Sequence, residues 1–127
     1  DKEIKMYKNS NPNHVSESIL PSHFSVKKGE SYLAKTISLQ NIFEKYDDIS
    51  LIKMDIEGSE YNVLNSLETI PASVKQMCIE FHHFCTDHNM DDTHKVISLL
   101  KDFGFKKHYM NNIHSSHPWA ELTFVRE

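Results

Sequence analysis

Glycine is scarce: Gly29, Gly58 and Gly104 are the only three in 127 residues, and tens of positions separate them. No glycine-rich loop that cradles a phosphate or a nucleotide-like cofactor can be written from them, so any such contact must come from elsewhere. Cysteine is nearly as rare. Cys78 and Cys85 are too few for a disulfide-stapled scaffold, and as reduced thiols they favour a cytoplasmic setting. No run approaches the eighteen or so apolar residues of a membrane-spanning helix, and the opening Asp1-Lys-Glu-Ile-Lys has no signal-peptide pattern. The chain opens on Asp1 and not Met, as after processing or excision from a longer chain. A net charge of −4 leaves no basic footprint, which argues against nucleic acid and anionic membranes as partners.

What is present suits one soluble domain spanning residues 1–127, with 39% hydrophobic and 25% charged residues. A chain this long buries about two-thirds of its extended surface, enough for one core. Residues 3–8 alternate polar and apolar side chains, as a half-buried strand does. Residues 9–31 carry Asn, Ser, Pro12, Pro21 and a Lys-Lys-Gly turn without periodicity and read as a long connection, with residues 32–37 as the return strand. Ser38 is the expected cap of a short helix carrying Leu39, Ile42, Phe43 and Tyr46.

Residues 49–56 are apolar on both alternating faces apart from Lys53 and Asp55, the pattern of an interior parallel strand covered by helices. Gly58-Ser59-Glu60 then predicts a helix start with a capping hydroxyl and an early acid. Residues 74–83 form a second apolar strand that ends in Glu80 and His82. Asp91-Asp92-Thr93 should cap a third helix lined by Val96, Ile97, Leu100 and Phe103, with Gly104 at its left-handed end. Residues 105–110 and 121–126 make an antiparallel pair. The sum is an α/β fold, and ligands of open α/β sheets sit at the carboxyl ends of the strands.

Side chains two apart share a strand face, so Lys53, Asp55 and Glu57 point together if their strand persists. The bland alternative is an ion cluster that caps the next helix. The same parity puts Cys78, Glu80 and His82 on one face and Met77, Ile79, Phe81, His83 and Cys85 on the other. The two thiols then diverge, and one tetrahedral zinc ion cannot collect both. A hard cation on Asp55, Glu57 and His82 stays conceivable, although no metal site is assigned. Glu80 and His82 suit a proton acceptor and its orienter, or an ion pair to Lys53 and a loop anchor. His114 and His117, which flank a turn at Pro118, read as solvated, and Trp119 as a loop anchor or pocket wall.

Lys53-Met-Asp-Ile-Glu-Gly-Ser-Glu60 with Val63-Leu64, followed by Ile79-Glu-Phe-His82, resembles the FkbM-type methyltransferases, whose motif is Lys-[Ile/Val]-Asp-[Val/Ile]-Glu-Gly-[Ala/Ser]-Glu. Thr36-Ile-Ser-Leu39 and the final Leu-Thr-Phe-Val are similar to that family's approach to the central strand and its last strand, and the likeness runs from about Ile4 to the end. The resemblance implies a Rossmann-like class I sheet of seven strands and S-adenosylmethionine-dependent methylation of a hydroxyl, on a sugar or another small metabolite. Carried over, Asp55 lies by the cofactor's methionine end and the reacting hydroxyl; Glu57, Glu60, Glu80 and His82 fall on motif positions. His82 takes the part of base, with Asp55 or Glu57 orienting the hydroxyl.

Measured against the family, only the C-terminal part is present, as residues 1–37 in an inserted hairpin and residues 38–127 in a helix and strand core. The strands with the main cofactor loop are missing, so the isolated chain should bind S-adenosylmethionine poorly, be inactive, and self-associate or await its N-terminal half. Alternative readings are a non-catalytic interaction domain, or a small metal-dependent hydrolase using Asp55, Glu57 and His82.

Overall fold

The computed structural model describes residues 2–83, 87–111 and 119–127. Cys85, His114, His117 and Pro118 therefore lie outside the described residues. The chain begins with β1 (Lys2–Asn9) and β2 (Val26–Thr36), paired antiparallel as a separate two-stranded sheet. β2 starts six residues before the expected Tyr32, because Lys27-Lys28-Gly29 is drawn into strand with Gly29 at a φ of 85°. The register slips between Tyr7 and Asn9, and Tyr7 bridges to Ser18 inside the connection.

Then follow α1 (Leu39–Lys45), β3 (Leu51–Met54), α2 (Glu60–Asn65), β4 (Gln76–Phe81), α3 (Met90–Asp102), β5 (Lys107–Asn111) and β6 (Ala120–Val125). Ser38 caps α1 as expected, its hydroxyl accepting from the Asn41 amide. The second sheet has strand order β3-β4-β6-β5, with β3 parallel to β4 and β6 antiparallel to both neighbours. Period-two alternation divides it into two faces. Met54, Met77, Ile79, Phe81, Ala120, Leu122 and Phe124 are buried, together with Tyr61 and Leu64 of α2 and Val96, Ile97 and Leu100 of α3. Each fully buried large side chain contributes about 2 kcal/mol. Lys53, Cys78 and Glu121 alternate with them on the more exposed face, where Cys78 is a free thiol. Among the described residues no helix is long and apolar enough to cross a membrane.

Five expectations change. β3 stops at Met54, short of the acids, and it ends the strand order instead of lying inside the sheet. Leu51 is 53% exposed, so the face it shares with Lys53 is not covered. Strand β4 ends at Phe81, which leaves His82 just beyond it. Ser59 makes no side-chain cap bond on α2, and Glu60 Oε1 instead accepts from the Ile56 and Gly58 amides of the preceding turn. On α3 the cap is Asn89, which forms a capping box with Asp92, while the buried Thr93 hydrogen-bonds the Tyr61 hydroxyl.

The sheet's last residues are tied down by Arg126, to which sequence reasoning gave no part. Its guanidinium donates to the carbonyls of Val74, Phe103 and Pro71 and lies 4.8 Å over the Phe105 ring. One planar fork thus joins the loop before β4 to the end of α3. Arg126→Ala should lower the unfolding free energy by about 2 kcal/mol, seen as a fall in Tm, with Arg126→Lys recovering only part of the loss.

Candidate functional site

The carboxyl ends of β3 and β4 lie side by side because the strands are parallel, with Met54 opposite Ile79. The chain leaves β3 through Asp55, Ile56 and Glu57, and turns with Glu57 at a φ of 52° and Gly58 at 97°. The left-handed value at Glu57 costs about 1–3 kcal/mol for a side chain that is not glycine. Several bonds hold it there. The Ser18 hydroxyl donates to the Glu57 carbonyl at 2.8 Å, and Glu60 Oε1 grips the amides on either side at 3.0 and 3.2 Å. Asp55 and Glu57 are therefore brought together by a turn, and not by the shared strand face that parity suggested.

Glu60 is fully buried, and its Oε1 also meets His82 Nδ1 at 3.0 Å. Against an ionised carboxylate, Nδ1 carries the proton and donates it, which aims Nε2 at the other acids. Nε2 lies 3.5 Å from Glu57, 3.6 Å from Glu80 and 3.9 Å from Asp55, and the His82 side chain is only 5% exposed. Lys53, mostly exposed, stands 3.9 Å from Asp55. Sequence analysis had singled out all of Lys53, Asp55, Glu57, Glu60, Glu80 and His82, and they do converge.

His23 was missed. It enters from the β1–β2 connection, where no periodicity marks it, and lies buried with Nε2 3.3 Å from Glu57 and its ring 6.1 Å from that of His82. Its Nδ1 is engaged by Ser25 at 2.8 Å. The only available sign was its place in a long connection of a small domain. His83, the next residue, is buried as well.

Two cavities meet at Glu57. One, of about 390 Å³, is polar and bounded by Asn9, Asn11, Phe24, Glu80, His82 and Trp119, so Trp119 does line a pocket. The other, of about 560 Å³, is walled by Ile4, Met6, Ile19, Ile37 and Val63, with Asp55 and Ser59 as polar members. Ser59 Oγ is buried there and has no hydrogen-bond partner.

The electrostatics follow from the crowding. Burial alone would raise the Glu60 carboxyl, but the bond and charge of His82, with the Ile56 and Gly58 amides, hold it below its ordinary value. Burial alone would likewise lower His82, yet Glu60, Glu57 and Glu80 carry it above its ordinary value. His82 is thus biased toward its protonated form. For Glu80, burial and the charge of Asp55 raise the pKa against the pull of His82. For His23, burial lowers it despite Glu57.

Glu60, with its pKa lowered, adds stability that is present above its ordinary 4.5 and disappears as pH falls through the folded value. His82, with its pKa raised, adds stability that is complete below its ordinary 6.5 and disappears as pH rises through the folded value. Thermal unfolding across pH should therefore show Glu60→Gln losing most, by about 3 kcal/mol, between those limbs, approaching the parent protein at the acid end and recovering only part of the difference at the alkaline end, where the amide bonds to Glu60 persist. Equal losses at every pH would show that Glu60 acts through packing alone.

No curated protein and no solved structure is matched by this sequence. Residues 1–107 match the methyltransferase FkbM domain, which spans the hairpin, the Asp55 turn and the Glu80–His82 strand end. The chain belongs to the FkbM methyltransferase domain family.

Proposed function

We propose that this chain is the acceptor side of an S-adenosylmethionine-dependent O-methyltransferase of class I, Rossmann-like architecture, acting on a hydroxyl of a sugar or similar polyol. The observation that carries this reading is the gathering of Asp55, Glu57, Glu80 and His82 at the carboxyl ends of two adjacent parallel strands, in a chain of a methyltransferase family. The order β3-β4-β6-β5, with β6 reversed, suits the C-terminal half of such a sheet. The free edge of β3 is where the earlier strands would pair.

S-adenosylmethionine, when bound, supplies the electrophilic methyl group. The residues present fit its methionine end: Ser59 Oγ lacks a partner and lines the apolar cavity with Asp55, so together they offer a hydroxyl and a carboxylate to an amino-acid moiety. A purine and ribose cradle would come from the other half.

The polar cavity suits a hydroxylated acceptor, since Asn9 and Asn11 offer amides while Phe24, 69% exposed, and Trp119 offer aromatic faces. Much of the rate in a two-substrate transfer comes from holding both reactants in line, and the rigid strand ends provide that. Glu80 is the group placed to take the hydroxyl proton: its side chain is 21% exposed and lines the polar cavity, whereas His82 is 5% exposed and tied to Glu60. His82 then balances the negative charge that gathers there.

The test is to incubate the natural full-length protein with methyl-labelled S-adenosylmethionine and a panel of saccharides and other hydroxylated metabolites. Label should enter a hydroxyl oxygen, and Glu80→Gln should lower kcat about a hundredfold with little change in KM. Label found on nitrogen or carbon would refute O-methylation, and full turnover by Glu80→Gln would remove Glu80 from the role of base.

A further inference from the structure

We infer that Asp55, Glu57 and His82 form a binding site for one divalent transition-metal ion. A carboxylate oxygen from each acid and an imidazole nitrogen lie within 4.8 Å of one another. A cation held at about 2.0–2.2 Å needs its donors roughly 3–4.4 Å apart, so a small rotation of the two carboxylates completes the set. Asp55 is 40% exposed at its side chain and free to make that turn, while His82 is held rigidly through its Nδ1 bond to Glu60. Ligating histidines are commonly oriented in this way, by a carboxylate on the other ring nitrogen.

A second feature points to the same place. His23 Nε2 is buried, its side chain only 1% exposed, and it has no hydrogen bond although it lies 3.3 Å from Glu57 Oε2. It points at an acid that would itself be a ligand, and it can orient Glu57 or add a nitrogen donor. Charge favours occupancy as well. Asp55, Glu57, Glu60 and Glu80 crowd around His82, and the Lys53 amine, 69% exposed, stands 3.9 Å from Asp55. With two oxygens and one nitrogen, the donor set fits Mn²⁺, Fe²⁺ or Zn²⁺ better than Ca²⁺ or Mg²⁺. Such an ion would lie beside the polar cavity, at the point where an acceptor hydroxyl would be held.

Binding can be read without cofactor or acceptor, so its failure and the failure of the methyl-transfer reading are separate results. Chelator-stripped protein is titrated with Mn²⁺ and the free ion followed by electron paramagnetic resonance. One Mn²⁺ per chain is expected, with affinity falling about tenfold or more in Asp55→Asn and Glu57→Gln and unchanged in Asp91→Asn on α3. Where a variant unfolds, the parent protein decides: the imidazole signals of His82 and His23 should broaden first at substoichiometric Mn²⁺. Mn²⁺ that stays free, or first broadening at His88 before α3 or at His94 on it, would overturn the site.

Discussion

The buried carboxylate of Glu60 is the constraint on which the rest of the site depends. One oxygen, Oε1, accepts from the Ile56 amide, the Gly58 amide and His82 Nδ1, so it joins the turn after β3 to the residue after β4. A lone carboxylate in that position would be driven toward its neutral form. Three donors converging on it reverse the balance, and in return the carboxylate fixes both the turn and the direction in which His82 faces.

Fixing His82 creates the opposite problem on its other nitrogen. Nε2 faces Asp55, Glu57 and Glu80, an arrangement that repels a lone pair and welcomes a proton or a cation. The fold concentrates negative charge where two parallel strands end, and the Ile56 and Gly58 amides of the turn before α2 offset part of it by donating to Glu60. The long connection between β1 and β2 also serves the site. Ser18 holds the strained Glu57 from that side, and His23 closes over the same acid. The two-stranded hairpin, a separate sheet in topology, is joined to the acid cluster through these contacts.

Much of the fold was legible because periodicity is a local property. The order of strands and helices, the antiparallel final pair, Ser38 as a cap and Gly104 in a left-handed position, at a φ of 97°, all stand in the structure. The exceptions share a cause. Apolar residues on both sides of residues 49–56 suggested an interior strand, yet burial depends on what packs against a strand, and Leu51 and Lys53 meet no cover. Ser59 looked like a cap but makes no cap bond, and the acid after it, Glu60, turns back into the core to accept from the Ile56 and Gly58 amides ahead of the helix. Arg126 and His23 act at separations of 23 to 55 and of 34 residues, which no spacing rule spans.

By itself, the sequence determined the family and the two strand ends that hold Asp55, Glu57, Glu80 and His82, since these follow from residue order and a local motif. Tertiary structure alone decided how they face one another. Glu57 joins Asp55 through a left-handed turn in place of strand parity, His82 becomes a proton holder because Glu60, Glu57 and Glu80 close on it, and His23 is added from a segment without pattern. Direction, distance and charge between groups far apart in the chain exist only after packing, and those quantities set the chemistry of the site.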